Sequence, residues 1–87
     1  MSNSTVQRAM YATLDILKHR DATKETIRIG LMTEGVRGVN VHNVHATVDT
    51  VLDVLQKMDL VRVTKIDTYQ LWWSGAETLM QVLNPVD

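Results

Sequence analysis

Residues 46–75 read ATVDTVLDVLQKMDLVRVTKIDTYQLWWSG, and the change of rhythm inside this stretch decides the fold. Counted from Val44, the residues Val48, Val51, Leu52, Leu55 and Met58 recur at three- and four-residue steps, which puts them on one face of an α-helix. His45, Asp49, Thr50, Asp53, Gln56 and Lys57 take the opposite face. After Asp59 the period falls to two. Leu60–Lys65 is rich in β-branched residues, Asp67-Thr68 can turn the chain, and Tyr69–Trp73 reads as the return strand. Ser74 followed by Glu77 is a capping-box pair, which opens a further helix through Ala76, Leu79, Met80 and Leu83 before Pro85 stops it.

Working outward toward the N-terminus, the third helix spans about residues 43–58, with Asn40 or Asn43 able to cap its start. A second helix, capped by Asp21 or Thr23, turns Ile27, Leu31 and Met32 inward and ends at Gly35. The link GVRGVNVHN (35–43) is longer than the turn of a tight helix-turn-helix. A first helix is expected from Thr5 to Lys18: Ser4 with Gln7 is another capping-box pair, and Val6, Met10, Leu14 and Leu17 keep helical spacing. Tyr11 and Ile16 widen its apolar surface. The order is H-H-H-E-E-H, an α+β fold that is mostly α, with one domain over residues 1–87.

Composition narrows the function. Hydrophobic residues make up 45% of the 87, enough for a core and against disorder. With no Cys, disulfides and thiolate metal sites are excluded. No apolar run approaches the roughly 20 residues of a membrane span, and the polar opening MSNSTVQR does not read as a signal peptide, so a soluble cytoplasmic protein is expected. His42 and His45 are three apart, but no carboxylate trio accompanies them, so no metal is expected. No glycine-rich phosphate loop or nucleophile elbow is present either, so neither a cofactor nor enzyme activity is expected.

The net charge of −1 is unevenly spread. Residues 1–43 hold Arg8, Lys18, Arg20, Lys24, Arg28 and Arg37 against Asp15, Asp21, Glu25 and Glu34, a balance of +2. The remainder holds Lys57, Arg62 and Lys65 against Asp49, Asp53, Asp59, Asp67, Glu77 and Asp87, a balance of −3. A phosphate-facing surface would draw on the first half, joined by Arg62 and Lys65.

Ala46-Thr47-Val48 in the third helix, Leu52-x-x-Leu55 followed by Met58-Asp59-Leu60-Val61, and Tyr69-x-Leu71 leading to Ser74-Gly75 together resemble the winged helix-turn-helix superfamily of small bacterial and phage regulators. The likeness covers residues 5–83. It implies double-stranded DNA as the partner, the third helix in the major groove, and a two-stranded wing beside it. His42, Asn43, His45, Thr47 and Thr50 would then face base edges, and Lys24, Arg28, Arg37, Arg62 and Lys65 the phosphates. A homodimer would double the few cations, with Tyr11, Trp72 or Trp73 at its interface.

Two departures from that pattern stand out. Asp59 occupies a place where a Gly is usual, and Asp49 with Thr50 stands where a small polar residue and an Arg are common. Carboxylates facing phosphates are repelled. A second expectation is therefore a winged-helix protein-interaction module, an adaptor or antagonist that binds a protein partner through the acidic face of the third helix or an exposed Trp.

Overall fold

The computed structural model describes residues 3–72, in the order α1 (Asn3–His19), β1 (Ala22–Thr23), α2 (Lys24–Thr33), α3 (Val44–Lys57), β2 (Val61–Lys65) and β3 (Thr68–Leu71). Among these residues the fold is α+β and mostly helical, with three helices and one three-stranded antiparallel sheet in the order β1-β3-β2. The expected last helix, with its Ser74–Glu77 capping pair, lies outside the described residues, as does Trp73. Among the described residues no helix is long and apolar enough to cross a membrane.

The core forms where the three helices and the base of the sheet meet. Ala9, Leu14 and Leu17 of α1, Ile27 and Leu31 of α2, and Val48, Val51, Leu52 and Leu55 of α3 are buried together with Leu60, Val61 and Tyr69. α1 packs against both other helices. Two methionines expected on the inner face stand mostly outside it. Met32 is 37% exposed, because it lies one step around the helix from Leu31. Met58 is 46% exposed, because α3 has ended at Lys57 and the chain is already turning away. Ser4 is not a cap: it lies inside α1, which already runs from Asn3.

Both α2 and α3 close in the same way. Beyond α2, Gly35 N–H donates to Met32 O at 3.1 Å and Val36 N–H to Leu31 O at 3.2 Å, with Gly35 at φ +64°. Beyond α3, Asp59 N–H donates to Gln56 O and Leu60 N–H to Leu55 O, each at 3.0 Å, with Asp59 at φ +58°. These are paired 5→2 and 6→1 bonds around a left-handed residue. Asp59 thus holds the backbone shape that glycine adopts most easily, and the turn delivers Leu60 into the core.

The strand β1 has no counterpart in the sequence reading. Ala22 pairs with Tyr69 and Thr23 with Thr68, which ties the start of α2 to the hairpin. Thr23 has two tasks, since its hydroxyl also caps α2 by accepting from Thr26 N–H at 3.2 Å. In the hairpin, Val61, Arg62 and Val63 face Leu71, Gln70 and Tyr69, after which the register slips so that Lys65 faces Thr68. The turn is Ile66-Asp67, one residue earlier than expected, with Asp67 at φ +58°.

Candidate nucleic-acid interface

The loop before α3 sets that helix's entry angle. Val39 N–H donates to Val36 O at 3.0 Å across a turn whose third residue, Gly38, sits at φ +90°. A side chain at Gly38 would run into the buried Thr5 of α1. Asn40 and Asn43 then brace each other: Asn40 Oδ1 accepts from His42 N–H (2.8 Å) and Asn43 N–H (3.2 Å), while Asn43 Oδ1 accepts from Asn40 N–H (2.9 Å). Asn43 Nδ2 donates to Gly38 O at 2.8 Å. This is a capping box built from two asparagines. Asn43 occupies the N-cap position but makes no side-chain cap bond to α3, and both ends of its amide are engaged within the loop.

The outward arc of α3 carries His45, Ala46, Asp49, Thr50, Asp53 and Lys57. Thr47 is not on it. It is fully buried, because it lies three residues after Val44 and four before Val51, and its hydroxyl donates to Asn43 O at 2.9 Å. His42, in the turn just before α3, is exposed.

Neither carboxylate of the arc stands alone. Lys24 Nζ, at the first residue of α2, lies 3.1 Å from Asp49 Oδ1, and Lys57 Nζ lies 2.9 Å from Asp53 Oδ2 one turn along α3. The hydrogen bond to Asp49 raises the Lys24 ammonium above the ordinary lysine range, with smaller contributions from Tyr69 and Asp67. Lys24 thus stands where the start of α2, the middle of α3 and the hairpin converge.

The remaining expected cations are dispersed. Arg28, one turn beyond Lys24, borders a shallow, mostly apolar groove of ≈ 380 Å³ with Ile29, Met32, Val44 and His45. Arg37 stands against α1, where its carbonyl accepts from Arg8 Nε at 3.3 Å. Tyr11 is half-buried beside it, packed on the core. On the hairpin, the guanidinium carbon of Arg62 lies over the Trp72 ring, 3.6 Å from its centroid, and Nε donates to Gln70 Oε1 at 3.2 Å. Trp72 is 52% exposed, Lys65 is exposed, and Ile66 at the hairpin tip is 97% exposed. Among the described residues, no group of three or more His, Asp or Glu converges as a metal site would require.

Comparison with known protein families, characterised proteins and solved structures finds no match. The structure brings Lys24, Asp49 and the hairpin together, and puts Arg28 beside His45. It leaves Arg37 against α1 and takes Thr47 into the core. Ala46, in the first turn of α3, is a further exposed residue of the arc, and its small side chain allows close approach. Its outward step on the helical wheel was the available signal.

Proposed function

We propose that this chain is a winged helix-turn-helix domain that binds double-stranded DNA, with α3 in the major groove and the β2–β3 hairpin as the wing. One observation carries the reading. The outward arc of α3 is polar and charge-balanced, because Asp49 and Asp53 are each bonded to a lysine. That pairing lowers the repulsion two bare carboxylates would exert on phosphates, and it also weakens the case for an acidic face docking on a basic protein. Ala46 and Thr50 suit contact with a thymine methyl, and His45 can donate to an acceptor edge. Phosphates would be met by Arg28, Arg62 and Lys65. Two copies acting together would double those cations and favour a pseudo-palindromic site. Such a regulator would work in the cytoplasm.

Fluorescence anisotropy with a mixed-sequence duplex tests the proposal. Binding is expected at about 50 mM salt, weakening roughly 40- to 500-fold by about 200 mM, as release of three to five counterions per subunit dictates. No binding at the lower salt refutes it. A protein-interaction module remains the second reading, favoured by the large apolar side chains Ile66 and Trp72 on the outside of the hairpin. Ile66→Lys separates the two. On DNA it adds a cation at the wing tip and steepens the salt dependence by about one counterion; on an apolar protein partner it weakens binding.

A further inference from the structure

Asp49 is the one arc residue whose charge is balanced from a different helix. Its side chain is 62% exposed while Oδ1 is held by Lys24 at 3.1 Å, which leaves Oδ2 available as a hydrogen-bond acceptor. We infer that Asp49 reads sequence: held in place by Lys24, it accepts a hydrogen bond from the exocyclic amine of a cytosine in the major groove. This rests on the DNA-binding reading above.

The chemistry follows from what each base presents. A carboxylate has acceptors only, and in the major groove the cytosine N4 amine is a donor without an adjoining acceptor on the same base. Adenine offers a donor beside an acceptor, and guanine offers acceptors that a carboxylate repels. A bare carboxylate would also repel the flanking phosphates, and the ammonium 3.1 Å away offsets that charge. Lys24 is therefore a positioning residue: it limits the rotamers of Asp49 and neutralises it, and its remaining N–H donors can meet a phosphate near the start of α2. Asp53 is less suited to this role, because its lysine is on its own helix and is 75% exposed, against 33% for Lys24.

The test selects bound duplexes from a randomised pool using the full chain and its Asp49→Asn, Asp49→Ala and Lys24→Met variants, with far-UV circular dichroism confirming that each is folded. Wild type should prefer cytosine at one position by about 5- to 10-fold, the lower part of the range for a good base contact. Asp49→Asn should move that single position toward adenine, since an amide pairs with the adenine donor and acceptor together. Asp49→Ala should erase the preference there and leave the other positions intact. Lys24→Met should blunt it without changing the base. If all proteins bind and the selected motif is the same in each, Asp49 does not read sequence and DNA binding stands. If wild type binds no duplex at about 50 mM salt, the DNA reading fails and the Asp49 assignment with it.

Discussion

Thr13 and Thr47 form a matched pair on which the packing can be tested. Both are fully buried within helices. Thr47 donates its hydroxyl to Asn43 O at 2.9 Å, whereas Thr13 Oγ1 has no hydrogen-bond partner among the described residues. Valine has nearly the shape of threonine, so each substitution exchanges a hydroxyl for a methyl without opening a cavity. At position 13 the change removes an unbonded buried hydroxyl, whose burial costs about 1–3 kcal/mol. Taking the low end, Thr13→Val should stabilise by about 1 kcal/mol. At position 47 the same change loses a bond worth about 0.5–1.5 kcal/mol. The Asn43 carbonyl keeps the Thr47 N–H at 2.9 Å, so it is not orphaned and the loss should be about 0.5–1 kcal/mol. For a domain of this size the two variants should then melt roughly 6–16 °C apart, one above wild type and one below. Thermal unfolding by circular dichroism gives the order, and urea midpoints at unchanged m-value confirm that stability alone has moved. A destabilised Thr13→Val, or equal shifts in both, would show that the Thr13 hydroxyl is bonded and refute the reasoning.

Other consequences are as direct. Gly38→Ala should cost more than about 2 kcal/mol in a urea titration, since it adds a left-handed strain to an overlap with buried Thr5. Asp59→Gly should stabilise by about 0.5 kcal/mol, because relief of the positive φ slightly exceeds the entropy glycine adds to the unfolded chain; a fall in melting temperature would contradict this. Lys24 has a folded-state value above the usual 10.5, so its ion pair contributes fully below that pH and is lost as pH rises through the raised value. The stability gap between wild type and Lys24→Met should therefore hold from neutral pH to about 10 and close only above it. A gap that closed between neutral pH and about 9 would mean that another group controls it.

The parts of this fold legible in the sequence are those with a repeating pattern. The apolar stripe from Val44 to Leu55 and the alternation from Val61 to Leu71 each repeat often enough to specify a helix and a hairpin. The two-residue β1 has no period, and Thr23 already reads as a helix cap, which it also is. Asn40 and Asn43 were both legible as caps, but not that they would cap through one another. The site was less legible for a related reason. Residue type marked Lys24 as a phosphate cation and Asp49 as an obstacle, whereas the packing of α2 on α3 makes them partners across a distance no spacing rule covers. Thr47 could have been set aside from the wheel alone.

The pairing of Ala22 with Tyr69 and Thr23 with Thr68 also bears on how the molecule comes apart. Helices α1, α2 and α3, and the β2–β3 hairpin, can form from neighbouring residues, but this short ladder joins positions on either side of α2 and α3. Its loop entropy is recovered only when the rest is assembled, so it should close last during folding and open first during unfolding. Weakening it at Ala22 should then speed unfolding while leaving the refolding rate nearly unchanged. The shortest strand among the described residues would set the lifetime of the fold rather than its assembly.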